Sequence, residues 1–394
     1  MNTKLLSPLV TRFLLVIMLC LPVWGSQVSA QTPESYAVLD EATGTLTFRH
    51  DAKKPAEAYP LNSPEELPGW FVEGENFVNK NRIEKVVFDA SFAAACPTSC
   101  RCWFVGCTEL KTIEGIEYLN TENVVTMKSM FAFCNNLTAL DVSNFNTKNV
   151  TDMNSMFYEC NNLTTLNVSN FDTKNVTNMG WMFYGCNNLT TLNVSNFDTK
   201  KVTNMKSMFN NCKNLTALDV SNFDTQNVTD MGWMFIGCNN LTTLNVSNFD
   251  TKNVANMRCM FYGCNNLTTL NLSNFDTQNV TDMDWMFYDC NSLTAIYVGD
   301  KFVTTACGAS ENMFSGCKKL VGAVPFDENK TGMEMANYTT GYFTDIKTTG
   351  IDATPISDNI AAKYYDVQGR RMDAPQKGIN IVKRGGRTMK VLMK

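Results

Sequence analysis

Histidine is almost missing from this chain of 394 residues: His50 is the single one, and Asp51 follows it. That scarcity removes the commonest general base and the commonest metal ligand together. The cysteines contain no C-x-x-C pair and none lies near a histidine, so the spacing of a zinc site is missing. Glycine-rich phosphate loops and G-G-x-G-x-D calcium repeats are absent as well. Asp152, Asp230 and Asp282 share one repeat position with asparagines, a pattern of a solvated face rather than of paired catalytic carboxylates. No enzyme activity and no cofactor is expected.

Positive charge is also scarce where it would count. The net charge of -5 conceals nine Lys and Arg against two Asp in residues 361 to 394, which leaves residues 31 to 360 near -14. A body of that sign excludes nucleic-acid binding, which needs a basic face. Beyond residues 13 to 24 no stretch approaches 18 apolar residues, so no membrane-spanning helix is expected. The early run itself, "FLLVIMLCLPVW", follows Lys4 and Arg12 and precedes "SQVSA". Together these read as a secretory signal peptide over 1–30 cut near Ala30. Acylation at Cys20 is the weaker alternative, because Leu19 is bulky where a small residue is required.

What the chain has in abundance is itself. Cysteines 134, 160, 186, 212, 238, 264 and 290 stand 26 residues apart, with Cys107 and Cys317 each 27 residues beyond the ends. The unit reads C-x-x-L-T-x-L-x-[VL]-S-N-F-x-T-x-x-V-x-x-M-x-x-M-F-x-x. Leu163, Leu166 and Val168 have the L-x-x-L-x-L rhythm of a short strand, "SNFDT" supplies turn chemistry, and "VTNM" with the following Met-Phe gives a second apolar edge. One unit buries about eight side chains, worth roughly 12 to 24 kcal/mol, while fixing its backbone costs more than that. A unit therefore cannot fold alone, and stacking is the expected solution: an all-β solenoid about 40 Å long over 107–317.

In such a stack the repeated thiols read as a buried ladder and Met153, Phe157 and their copies as core. Asn144, Asn170, Asn196, Asn222, Asn248 and Asn274 read as side chains that bond turn backbone. Residues 31–106 depart from the period and are expected to form an N-terminal β cap. Within it "YAVLDEATGTLTFRH" (36 to 50) is a hairpin with Gly44 in its turn, and "IEKVVFDASF" (83 to 92) a strand entering the first repeat. Residues 318–347 form a C-terminal cap, and 348–394 a polar linker with a basic tail.

The period, the unit and the segments "YAVLDEATGTLTF", "VVFDASF", "WFVGCTELKTIEGIEYLNTENV" and "TTGYFT" resemble the BspA-like leucine-rich-repeat surface proteins, the bacterial family with a 26-residue repeat. The final "YYDVQGRRMDAPQKGINIVKRGGRTMKVLMK" is similar to the C-terminal sorting tails of Bacteroidetes type IX secretion, although shorter. The resemblance implies a right-handed leucine-rich-repeat-like stack, secreted or held on the outside of the outer membrane. Its implied partners are host extracellular matrix or other surface proteins, with the secretion machinery engaging the tail. "CPTSCRC" (96 to 102) has Cys100 and Cys102 where the family has Ser or Thr, which leaves a local disulfide or a loose metal site open.

Positions that packing does not fix are the candidates for contact with a partner. The residue before the Met-Phe pair runs Ser129, Ser155, Trp181, Ser207, Trp233, Cys259, Trp285, and the residue after it Ala132, Tyr158, Tyr184, Asn210, Ile236, Tyr262, Tyr288. Indoles two repeats apart leave slots about the width of a sugar ring or a side chain. Trp181, Trp233 and Trp285 with Tyr158, Tyr184, Tyr262 and Tyr288 are therefore the expected ligand-binding residues, unless the rings merely pack over the corner. The expected function is non-enzymatic adhesion or recognition at the cell surface. The alternatives are a glycan-binding module for nutrient capture, or a structural spacer.

Overall fold

The computed structural model describes residues 31–73, 76–77, 80–308, 310–348, 363–365, 370–372, 378–384 and 387–393. The segment expected as a signal peptide, with Cys20, and most of the segment expected as a polar linker lie outside them. The described residues form strands, bridges, turns and short 3-10 segments, with no α-helix and no closed barrel among them.

Glu34–Asp40 and Thr45–Asp51 make the expected antiparallel hairpin. Gly44 turns it at a φ of +63°, where a Cβ would stand 2.4 Å from Arg82 O. Thr45–Asp51 then pairs in parallel with Lys85–Phe88, and Lys85–Phe88 in parallel with Thr112–Glu114. The sheet thus changes within itself from hairpin pairing to the parallel pairing that the repeats continue. Its apolar face packs Phe48 against Phe88 at 4.7 Å and against Trp103 at 5.0 Å between ring centroids. Trp70 and Trp103 are fully buried, and each satisfies its indole N–H, to Trp103 O at 2.9 Å and to Asn62 Oδ1 at 2.7 Å.

Parallel bridges run Thr126–Asp152–Asn178–Asn204–Asp230–Asn256–Asp282, each residue pairing with its copy in the next repeat. Main-chain bonds follow the same step, for example Met153 N–H to Asn178 O at 3.1 Å and Phe157 N–H to Met182 O at 2.9 Å. Each repeat gives one continuous core the same set of side chains, in one copy Leu163, Leu166, Val168, Phe171, Val176, Met179, Met182, Phe183 and Cys186. The phenylalanines 131, 157, 183, 209, 235, 261 and 287 stack face to face at 5.7 to 5.9 Å. A side chain at one repeat position therefore meets its own copy, so unlike residues at a core position would misfit both neighbours.

Several polar ladders cross the repeats, among them those of the thiols, the turn asparagines and the buried threonines. From Cys134 to Cys317 each ladder thiol donates to a phenylalanine carbonyl of the preceding repeat, as Cys160 does to Phe131 O at 3.1 Å and Cys238 to Phe209 O at 3.2 Å. All these cysteines are free, as are Cys96, Cys100 and Cys102, so the "CPTSCRC" segment holds no disulfide here. The turn asparagines bond backbone as expected, but that of the preceding repeat: Asn196 donates to Val168 O and Phe171 O, and Asn222 to Val194 O and Phe197 O. Buried threonines bond forward, Thr147 to Asp172 O at 3.0 Å and Thr225 to Asp250 O at 2.9 Å. These ladders satisfy polar groups that stacking would otherwise bury unpaired.

The leucine strand expected in every repeat forms only at Ala139–Leu140, Thr165–Leu166, Thr269–Leu272 and Ala295–Val298. In the rungs at 190–194, 216–220 and 242–246 the closest main-chain link is stretched, Thr216 N–H to Thr190 O at 3.4 Å. There the asparagine amides carry the connection between repeats, and no continuous strand ladder is needed to bury Leu192 and Leu218.

At the far end Thr344–Asp345 pairs in parallel with Ala295–Val298, and Phe343 lies edge-on to Phe302 at 5.0 Å. The basic tail forms its own antiparallel sheet of Lys363–Tyr365, Arg371–Met372, Gly378–Arg384 and Arg387–Met393. Among the described residues no helix is long and apolar enough to cross a membrane.

Candidate binding surface

The turn M-x-x-M-F sets the geometry of the predicted site. Its second variable position is left-handed in every copy, with φ between 53° and 61° from Ser129 to Trp285. The cause is the ladder: in this turn Trp181 donates its N–H forward to Lys206 O at 2.8 Å and accepts Tyr184 N–H at 3.2 Å. Serine, cysteine and tryptophan copies adopt it alike. A residue with a Cβ gives up about 1 to 2 kcal/mol in this region, and glycine gives up none of that. Four residues on, a second left-handed position uses glycine at 185, 237, 263 and 316. The first position never does. Serine, cysteine and tryptophan bear that cost alike, so the backbone does not select among them and only the side chain distinguishes the tryptophan copies.

The slots between the indoles are not vacant, contrary to expectation. The Lys206 side chain fills the gap between Trp181 and Trp233, its Nζ 5.4 Å and 4.7 Å from the two ring centroids. Arg258 covers Trp285 in the same way, with Cζ 4.4 Å from the centroid. Both are cation–π contacts. Arg258 also reaches Asp284 at 2.9 Å and Asp282 at 3.5 Å, whereas Lys206 comes no nearer than 4.0 Å to Asp230. Indole and cation thus alternate along the ladder, and small neighbours make the interleaving fit. At Gly232 a Cβ would stand 2.8 Å from the Asn256 amide, and Ser207 and Cys259 occupy the indole position of the cation-bearing rungs.

Lys206, Arg258 and Asp284 are the site residues that the sequence reading passed over. Their signal lay one position before the tryptophan, where Gly180, Lys206, Gly232, Arg258 and Asp284 alternate in step with it. The tyrosines divide into two pairs rather than one row. Tyr158 stacks on Tyr184 at 4.5 Å and Tyr262 on Tyr288 at 4.8 Å, with Asn210 and Ile236 between the pairs. Burial, then the neighbouring phenol, raises the pKa of Tyr158 and Tyr262. Trp285 is 37% exposed, and Trp181, Trp233 and all four tyrosines are half-buried.

His50 meets a hydroxyl that sequence alone did not place beside it. The hairpin register sets Ser35 opposite, with Oγ 2.8 Å from His50 Nδ1. Asp51 is engaged elsewhere, accepting from Lys53 N–H and from the Tyr36 hydroxyl, and these hydrogen bonds, the first above all, hold its carboxyl below the ordinary range.

The family model described as "Mycoplasma protein of unknown function, DUF285" matches residues 98–218 and 212–326, more than half of the chain. The chain belongs to this family. The two DUF285 matches cover the whole indole and cation row, and the hairpin and the basic tail lie outside them. No curated protein and no solved structure matches the chain.

Proposed function

We propose that this DUF285 chain is a non-catalytic recognition protein, exported and displayed on the bacterial surface, that adheres to host matrix or microbial surface proteins. In this reading the ladder is a right-handed solenoid of the leucine-rich-repeat kind, closed by the hairpin sheet and by residues 318–347. The BspA-like resemblance supports this reading, and the likeness of the tail to type IX sorting segments supports export by that route. The observation that carries the reading is the row Trp181, Lys206, Trp233, Arg258, Trp285, in which cations interleave with indoles that stand at a position where other copies place only serine or cysteine. Tryptophan and arginine are the residues on which protein interfaces concentrate their energy. The same row argues against a sugar ring between the indoles, because Lys206 already lies there.

The test is Trp181→Ser, Trp233→Ser and Trp285→Ser combined, which copies what Ser155 and Ser207 place at the same backbone position. The mature protein is titrated against immobilised extracellular matrix proteins by surface plasmon resonance. We expect the triple variant to keep its fold and to bind at least about tenfold more weakly. Equal affinity in a folded variant refutes the row as the contact surface.

A further inference from the structure

We propose a second binding surface, on the leucine rungs, that takes an extended uncharged polysaccharide laid across successive repeats. It does not depend on the indole row. A trough of about 780 Å3 runs over positions 139–141, 165–167, 191–193 and 217–219, and a second of about 390 Å3 continues it from 217 to 271. It crosses the paired strands Ala139–Leu140 and Thr165–Leu166 and the open rungs that follow them, over leucines 140, 166, 192, 218 and 244, each of which keeps 6 to 9% of its surface exposed. The floor is therefore a regular set of apolar edges.

The walls are polar and carry no cation among the lining residues. Asn167, Asn193, Asn245 and Asn271 commit Oδ1 to the serine N–H two residues on, at 3.1 to 3.2 Å. The amide nitrogens have no protein partner among the described residues, and neither do the hydroxyls of Thr165, Thr191, Thr243 and Thr269. Each such rung offers two N–H donors and one hydroxyl, repeated at roughly 5 Å along the stack. A sugar residue in an extended chain advances by a similar distance, presents hydroxyls at its rim and C–H groups on its face, and bears no charge. That matches donors, floor and spacing together. Polyanions are disfavoured by Asp141 and Asp219, which no cation among the lining residues offsets. A protein interface centred here would lack aromatic anchors.

The rungs come in two kinds. Thr-Leu-Asn occurs at 165, 191, 243 and 269, and Ala-Leu-Asp at 139 and 217, three rungs apart. Ala-Leu-Asp keeps the turn bond, as Asp219 Oδ1 accepts Ser221 N–H at 3.0 Å, and removes the hydroxyl and the amide donor. The chain thus contains its own control.

The experiment is affinity electrophoresis of the full mature chain in gels cast with linear neutral glucan, mannan or xylan, with alginate as the acidic comparison. The quadruple variant Thr165→Ala, Asn167→Asp, Thr191→Ala, Asn193→Asp converts two rungs to the second kind, and Asn193→Asp alone serves if the quadruple does not fold. We expect at least one neutral polysaccharide to retard the parent and alginate not to. The quadruple should lose at least about tenfold in affinity and the single variant about threefold, while the triple Trp→Ser protein is retarded as the parent is. Lack of retardation by all three neutral chains, retardation by alginate, or unweakened binding by a folded rung variant overturns the proposal. Loss of binding in the Trp→Ser protein overturns it too, by assigning the sugar to the indole row.

Discussion

At Cys160 a thiol sits in the core with its hydrogen on Phe131 O, and burial pushes its pKa up to about 12, as it does for Cys238. Cys134, Cys186, Cys212, Cys264 and Cys290 are raised well above the ordinary value by the same burial. A thiol in the unfolded chain ionises near about 8.5. Below that value both states are neutral and the thiol's full contribution to stability is present. As pH climbs from there toward the folded value, only the unfolded chain loses its proton, and each thiol withdraws about 1.4 kcal/mol of stability per pH unit. Urea melts should therefore weaken steeply between about pH 9 and 11, and Cys160→Ala should make the fall shallower by one thiol's share. At neutral pH, a thiol reagent should modify the exposed Cys96 promptly and the ladder cysteines only once denaturant is added. Prompt labelling of the folded ladder would contradict this.

At the scale of the element, the repeat is a rung that depends on its neighbours for ring contacts and polar partners alike. Phe209 stacks at 5.8 Å on both Phe183 and Phe235 and accepts the Cys238 thiol on its carbonyl. Phe209→Ala should cost about 3 to 5 kcal/mol and raise amide exchange in the repeats on either side. Exchange confined to one repeat would count against coupled rungs.

Much of the rung was legible from periodicity, because core residues must match their own copies: the Met, Phe, Leu and Cys positions are all buried. The left-handed turn was half legible. Gly185, Asn211, Gly237 and Asp289 advertise one such position by residue type, but Ser155 and Trp181 carry no sign of the other. It arises from bonds to the next repeat, which sequence spacing does not display. The same blindness hid Lys206, whose neighbours in space are tryptophans about one repeat away on each side. It also hid the open leucine rungs, whose motif equals that of the rungs that do form strands.

For the whole molecule, the basic tail is the part whose role separates most clearly from folding. It forms its own sheet, and residues 98–326 carry the family match without it. Deleting residues 363–394 should leave the thermal melt of the remainder within about 2 °C of the parent and reduce display on intact cells, measured by antibody labelling. A fall of many degrees would make the tail a structural part of the C-terminal end.

The repeats also carry two patterns at once: tryptophan at every second rung from 181 to 285, and Ala-Leu-Asp at two rungs three apart, 139 and 217. Tandem near-copies are prone to slippage during replication, which removes or adds whole units, and the ladder would accept such a change, since the bridges, the Phe N–H to Met O bonds and the thiol bonds join successive rungs through the same atoms. The surface would not. Losing one unit brings two indole-bearing or two cation-bearing rungs together, and losing two preserves that alternation but displaces the Ala-Leu-Asp rungs. Copy number in this gene is therefore open to selection through the patterns displayed rather than through the fold, and lineages with different lengths would present different surfaces on one scaffold.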